Sequence, residues 1–255
     1  MTLKAVANAK INIGLSITAK RQDGFHNIET LFYPVAQWCD QLELRPAVSG
    51  FTLEVLGADF TLAQSENICT KAYSRFAEYV GTPLKGGHLI LHKNIPSGAG
   101  LGGGSADAAC TLKLINELNN NILTEHELKK IALTLGSDVP FFIDNKPAFA
   151  TGRGEHLTPF PLDLSAYRIE IVKPDFSIST AEAYALAKPT PKTRPLNELL
   201  QAPIEDWKYL IINDFEAVLF PKYPELAVLK QSFYERGALY ASLSGSGSAL
   251  YGIFP

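Results

Sequence analysis

The chain has 255 residues, 46% of them hydrophobic and 19% charged, with a formal net charge of -3. That length allows one large domain or two modest ones around a substantial core, and the slight acidity excludes a general electrostatic pull towards nucleic acid. No run approaches the ~18 uninterrupted apolar residues of a membrane span, while Cys39, Cys69 and Cys110, odd in number and far apart, argue against a disulfide framework or a closed cysteine zinc site. Residues 1–9 lack the basic segment, apolar run and small-residue cleavage site of a secretion signal. A cytoplasmic protein acting on small molecules is expected, with neither nucleic acid nor membrane as partner.

Residues 3–18 alternate in part as a strand does, with Lys10 and Asn12 on one face and Ile11 and Ile13 on the other. Exposed lysines are common on edge strands, so Lys10 alone carries no function. Arg21-Gln22-Asp23-Gly24-Phe25-His26 is a turn signal, because Asp-Gly readily supplies positive φ. It leaves Phe25 and His26 at the head of the next strand, placed for packing or for recognition. Residues 28–35, 41–45 and 51–56 are short strand candidates that together suggest an antiparallel sheet. A helix follows from about Ser65 to Tyr79, with Ile68, Ala72, Phe76 and Tyr79 as its apolar stripe, Asn67 suited to its cap and Gly81 beyond its end.

The stretch from Lys93 to Ala109 contains five glycines, between a strand-like run at residues 88–92 and a helix running from Ser105 to about Leu118. Glycine lets amides turn inward with no Cβ in the way, and the unpaired amides and positive dipole end of a helix attract an anion. A phosphate cradle and a flexible surface loop both fit those facts. Thr124 and Glu127 then form a capping box, and the helix they open stops at Gly136. Asp138 follows at once, ahead of a short apolar run broken by Pro140. It serves either as a turn former tied to local amides or as a carboxylate held for chemistry.

Residues 147–154 and 166–173 are further strand candidates, and residues 174–203 carry five prolines, as loops and short helices do. Residues 180–186 suit one such helix, with Tyr184 on it. Helices are expected at about 205–219 and 224–235, the second with Pro224 in its first turn. The chain closes with a strand, the small-residue turn Ser242-Leu243-Ser244-Gly245-Ser246-Gly247-Ser248, and a last strand.

Gly98-x-Gly100-x-x-Gly103 is formally a dinucleotide fingerprint, and an oxidoreductase is one candidate class. However, such a fingerprint opens the first turn of a βαβ unit and is followed by a strand ending in an acid, whereas here about 97 residues precede it and two helices follow. A P-loop is excluded for want of Gly-Lys-Ser/Thr, and the protein-kinase signatures His-Arg-Asp and Asp-Phe-Gly do not occur.

The run from Pro96 to Ala109 resembles the nucleotide-phosphate loop of the GHMP kinase superfamily. Ala9-Lys10-Ile11-Asn12, Asp23-Gly24-Phe25-His26, the run from Gly136 to Phe142 and the Ser-Gly-Ser-Gly turn occur in the same order as in one branch of it, between residues 5 and 254. The resemblance implies an α+β GHMP kinase fold of two domains, a nucleotide-binding half at 1–150 and a C-terminal half at 151–255, with the active site in the cleft between them. It also implies ATP as co-substrate, Mg²⁺, and phosphorylation of the 2-hydroxyl of a cytidine diphosphate methylerythritol in non-mevalonate isoprenoid precursor synthesis. A monomer or weak homodimer is expected. Another small-molecule kinase of the superfamily and a non-catalytic nucleotide-binding relative are the alternatives.

Carried over residue by residue, Asp138 is the base that takes the hydroxyl proton and Lys10 the cation beside it. His26 reads the cytosine edge, Phe25 and Tyr184 wall the ring, and Asn12 and Thr180 meet the substrate's polar groups. Pro96, Ser97, Gly98, Ala99, Gly100, Leu101, Gly102, Gly103, Gly104 and Ser105 form the ATP-binding loop, with Lys93 and Asn67 matching positions near the nucleotide. Metal ligands stay unassigned, since Mg²⁺ bound through phosphates needs few from the protein. Ala106 departs from the family pattern, which often has a second serine there, and the end at Pro255 implies a compressed C-terminal half.

Overall fold

Alternating apolar residues, with few turn formers among them, give two long strands at the head of the chain, β1 (Leu3–Lys20) and β2 (His26–Ala47). The computed structural model describes residues 1–57, 64–189 and 192–255, which leaves Pro191 of the proline-rich stretch outside the described residues. Two compact units take the chain by turns. One comprises Met1–Ala9, Trp38–Ser97 and Gly102–Asn145, and the other Lys10–Gln37, Gly98–Leu101 and Lys146–Pro255. Both β1 and β2 therefore run through both units.

Residues 28–35 and 41–45, expected as two strands, belong to the single strand β2. Pro34 lies in the stretch of β2 between two of its ladders. Thr30–Phe32 pairs with β5 (Ala148–Thr151), and Gln41–Ala47 with β4 (Gly86–His92), so a missing N–H between them interrupts neither.

In the first unit the sheet order is β3-β4-β2, with β3 (Phe51–Leu56) parallel to β4 and β4 antiparallel to β2. Four helices pack together in this unit: α1 (Ile68–Val80), α2 (Gly103–Leu118), α3 (Glu125–Leu135) and α4 (Val139–Asp144). Helix α2 is their centre, buried at Ala106 to Ala109 and again at Thr111, Leu112, Leu114 and Ile115. The expected caps form. Asn67 Oδ1 accepts from Cys69 N at 2.9 Å, and Thr124 with Glu127 closes the capping box.

In the second unit β5 pairs with β6 (His156–Pro159), and β9 (Leu250–Phe254) lies between β7 (Arg168–Val172) and β8 (Tyr240–Leu243) in an antiparallel sheet. Short helices α5 (Thr180–Leu186), α6 (Leu196–Leu199), α7 (Trp207–Leu210) and α8 (Glu216–Leu219) precede α9 (Pro224–Glu235), which packs on β8 and β9. The helix expected over 205–219 is thus broken. Between α7 and α8 the chain runs beside β1, where Leu15 N donates to Ile212 O at 3.0 Å and Ile17 N to Asp214 Oδ2 at 2.8 Å. Asn213 supplies the reason: its amide donates to Leu243 O and Gly245 O and accepts from Phe215 N, bonds a helix has no place for.

Candidate active site

Lys10 stands on a part of β1 that is buried on both faces, from Ala9 to Ile17, so it is no edge lysine. Only 3% exposed, it lies 5.0 Å from the centre of the Phe32 ring and donates to Asn12 Oδ1 at 2.5 Å and to Gly100 O at 3.1 Å. A lysine held that deep stays charged only where acceptors replace its lost water. Asn12, 2% exposed, has both ends of its side chain engaged, because Nδ2 donates to Thr30 Oγ1 at 3.0 Å.

The Gly98–Leu101 segment meets the small-residue turn of the same unit. Ser244 Oγ donates to Gly100 O at 2.9 Å, and Ala249 N to Ala99 O at 3.1 Å. Gly100 has φ +74°, and a Cβ there would come within 2.0 Å of Ser244 O, so only glycine permits this approach. Thr180 Oγ1 and Ser246 Oγ share a hydrogen bond at 3.2 Å, which brings Thr180 to the same turn.

The pair at the head of β2 divides. His26 stacks on Tyr184 at 5.0 Å between ring centres and 22° between planes, and Tyr184 meets Phe215 edge-on. Burial, and secondarily the Lys20 charge, pushes the His26 imidazole below its ordinary range, so it is neutral near pH 7 with one donor and one acceptor. Phe25 is 54% exposed instead, and the Arg153 guanidinium lies 5.0 Å from its ring centre. Arg153 was not singled out by sequence; the only signal is the Gly-Arg-Gly that ends a strand candidate.

The other candidates lie on the glycine turn and in the first unit. Gly98, Gly100 and Gly102 all have left-handed backbone, and Gly102 caps α2 with no side-chain hydrogen bond and no acid in the first turn. This end of α2 thus keeps the donor amides and dipole that suit an anion. A Cβ on Gly103 would lie 2.8 Å from Ile95 Cγ2, whereas one on Gly104 would meet nothing within 4 Å. Pro96 and Ser97 lead into this turn. Asn67 caps α1 with its side-chain oxygen, which accounts for that atom.

Lys93 is drawn inward by two acids that the sequence reading missed. Its side chain is 8% exposed, and Nζ donates to Asp107 Oδ2 at 2.7 Å and to Asp40 Oδ2. Asp40 Oδ1 accepts from Asn94 N at 2.6 Å and from Ile95 N at 2.8 Å, fixing the chain as it leaves β4. Burial opposes the Lys93 charge, but the two carboxylates outweigh it and hold the ammonium above the ordinary lysine value. An acid amid alanines at Asp107 was the available signal. Asp138 heads α4, whose next five residues are all buried, and makes no capping hydrogen bond to it.

Among the described residues no group of three or more His, Cys, Asp or Glu could hold a metal ion, and no helix is long and apolar enough to cross a membrane.

Residues 67–149 match the family model "GHMP kinases N terminal domain", and residues 195–255 match "GHMP kinases C terminal". The chain is 47% identical over 251 residues to the 4-diphosphocytidyl-2-C-methyl-D-erythritol kinase of Bacteroides thetaiotaomicron, covering 97% of this chain and 90% of that protein. A crystal structure of a 4-(cytidine 5'-diphospho)-2C-methyl-D-erythritol kinase superposes with a TM-score of 0.84 at 33% identity, over 98% of this chain and 90% of the other. A mevalonate kinase structure superposes with a TM-score of 0.74 at 14% identity, over 99% and 91%. That last likeness shows the fold alone.

Proposed function

The chain belongs to the 4-diphosphocytidyl-2-C-methyl-D-erythritol kinase family of GHMP kinases, and on that premise we propose that it transfers the γ-phosphoryl group of ATP to the 2-hydroxyl of 4-diphosphocytidyl-2-C-methyl-D-erythritol. In the proposed reaction Asp138 accepts the hydroxyl proton, the oxygen attacks the γ-phosphorus, and the bond to the bridging oxygen breaks to release ADP. Lys10 stabilises the negative charge on the transferring group. No covalent intermediate is needed.

The observation that carries this reading is Lys10 itself: a buried ammonium whose acceptors include the side chain of Asn12 and the carbonyl of Gly100 in the glycine loop. A buried ammonium is placed to stabilise negative charge that develops beside it. The amides of Gly103, Gly104 and Ser105 are the proposed seat of the ATP phosphates, supported by the uncapped start of α2 and the open space at Gly104. The turn from Pro96 through Leu101 and Gly102 leads the nucleotide's phosphates to that seat. Mg²⁺ carried on those phosphates would neutralise part of their charge.

On the acceptor side, His26 and Tyr184 are the proposed cytosine contacts, with Phe25 at the rim and Thr180 near the polar chain. Asn12 and Lys93 take a changed role in this proposal. Their polar atoms are engaged by Thr30 and Lys10, and by Asp40 and Asp107, so they serve as supports of the site. Asn67 likewise supports α1.

The test is release of ADP from purified protein given MgATP and 4-diphosphocytidyl-2-C-methyl-D-erythritol, with Asp138→Asn beside it. Loss of the base lowers kcat by about 100-fold or more. A parent that releases no ADP with this acceptor, or an Asp138→Asn enzyme as fast as the parent, overturns the reading.

A further inference from the structure

A chain of buried hydrogen bonds runs through the second unit to the Lys10 ammonium, and the direction of each bond is forced. It starts at the carbonyl of Gly14, which can only accept. Thr30 Oγ1 donates its single hydrogen there at 2.6 Å. Having spent that hydrogen, the hydroxyl meets Asn12 only as an acceptor, and Asn12 Nδ2 lies 3.0 Å away. The other end of the amide, Oδ1, then faces Lys10 Nζ at 2.5 Å. Thr30, Asn12 and Lys10 are 0%, 2% and 3% exposed, so water does not substitute for a missing partner.

The opposite orientation of the Asn12 amide has the same shape but fails at both ends. Its NH₂ would face an ammonium, and its oxygen would face a hydroxyl with no hydrogen left to give. Two donors in contact and two acceptors in contact, all buried, are strongly disfavoured. The backbone of Asn12 is fixed as well: its N donates to Ser244 Oγ at 3.3 Å and its O accepts from Tyr251 OH at 2.8 Å. The amide can therefore turn about its own side-chain bonds, and Thr30 selects which end meets the lysine.

We propose that Thr30 is a positioning residue for phosphoryl transfer: through Asn12 it aims an acceptor at Lys10 and so fixes where the ammonium stands when charge builds on the phosphoryl group. This rests on the reading of Lys10 as the cation of that step. Thr30 touches neither substrate nor the reacting atoms in this scheme. Its effect belongs in kcat, because a misplaced ammonium weakens the transition state and leaves the grip on ATP and on the cytidine largely as it was.

The experiment compares Thr30→Val, which keeps the volume and removes the hydroxyl, with Thr30→Ser, which keeps the hydroxyl, and with Lys10→Met. Rates are measured on the full chain with MgATP and 4-diphosphocytidyl-2-C-methyl-D-erythritol, and folding is followed by thermal melting. Thr30→Val should lower kcat at least about tenfold with both KM values within about twofold of the parent, and Thr30→Ser should restore kcat to within about twofold. Should the valine variant fail to fold, Thr30→Cys, a poor acceptor of similar size, gives the same reading. In an Asn12→Asp background both ends of the side chain accept, so the valine substitution should there cost less than about twofold. Parental kcat in folded Thr30→Val, equal losses in valine and serine variants, or a loss confined to KM overturns the positioning role. If the parent is silent, or Lys10→Met is as fast as the parent, the kinase reading fails instead, whatever Thr30 does.

Discussion

Asp107 shows how one residue can set a pH dependence for the whole fold. Its Oδ2 accepts from Lys93, while its Oδ1 is buried and makes no hydrogen bond. Burial, opposed by the Lys93 ammonium and reinforced by Asp40, pushes the carboxyl up to about 7. In the unfolded chain it titrates near ~3.9, so between about pH 4 and pH 7 the folded state binds the additional proton. Stability therefore falls as pH rises through that window and levels off above it. Asp107→Asn keeps an oxygen for Lys93 and removes the proton. Relative to the variant, the parent should lose on the order of a few kcal/mol between about pH 4 and pH 8 in urea titrations. A parent-minus-variant difference that is flat over that range would mean that Asp107 is ionised throughout. His26 makes a second residue-level case, with its neutral imidazole offering a donor and an acceptor to a base edge. His26→Ala should raise KM for the cytidylyl acceptor about tenfold and leave KM for ATP within about twofold, since a lost hydrogen bond in a binding step costs that much. Equal increases in both constants would remove His26 from the acceptor side. Lys10 and Asp138 drew notice in the sequence through their neighbours, whereas Thr30, Asp40 and Asp107 did not. A polar residue inside a strand or helix pattern looks like solvent-facing surface until the partner, 14 to 53 residues away in the Lys93 cluster, is brought to it.

At the scale of elements, the glycine turn and the head of α2 separate what the fold needs from what the nucleotide needs. Gly100 is required by the fold: its positive φ and the 2.0 Å approach of a Cβ to Ser244 O leave no room for alanine. Gly100→Ala should destabilise by about 3 kcal/mol or more, read as a lower melting temperature. Gly104 is different, with ordinary helical backbone and nothing within 4 Å of a built Cβ. Gly104→Ala should hold or raise stability by up to about 1 kcal/mol, because alanine loses less backbone freedom than glycine on entering a helix. It should nevertheless raise KM for ATP about fivefold or more if phosphate lies against the amides there, since a methyl group then stands in the anion's place. Unchanged KM for ATP in a stable Gly104→Ala would move the phosphate seat elsewhere. Elements governed by local chemistry were legible in the sequence: the capping box at Thr124, the Asn67 cap, the strand-glycine-helix order around α2. The helix expected over 205–219 was not, because Asn213 and Asp214 take their partners from β1 and from the Leu243–Gly245 turn, and helical periodicity carries no trace of those bonds.

For the whole molecule, functional halves at 1–150 and 151–255 remain a proposal about where nucleotide and acceptor machinery lie along the chain. The folding units follow a different division, with crossings after Ala9, Gln37, Ser97, Leu101 and Asn145. A boundary read from motif order had no means of finding the first two, because β1 and β2 are continuous strands with no linker composition where they change unit. The consequence is testable. Leu15, Ile17 and Ile28 share one core cluster with Ile178, Phe215, Leu219, Phe233, Leu243 and Leu250. Burial of each such aliphatic side chain is worth roughly 1.5–3 kcal/mol, so the three together approach the net stability of a typical domain, about 5–15 kcal/mol. A fragment ending at residue 150 keeps those three side chains and loses every other member of the cluster just named. It should lack a cooperative thermal transition, bind a hydrophobic dye, and show weak near-ultraviolet dichroism, whereas the full chain melts sharply. A fragment 1–150 that unfolds in a single cooperative step would mean that the first half carries a core sufficient for itself and that Leu15, Ile17 and Ile28 repack when their partners are gone.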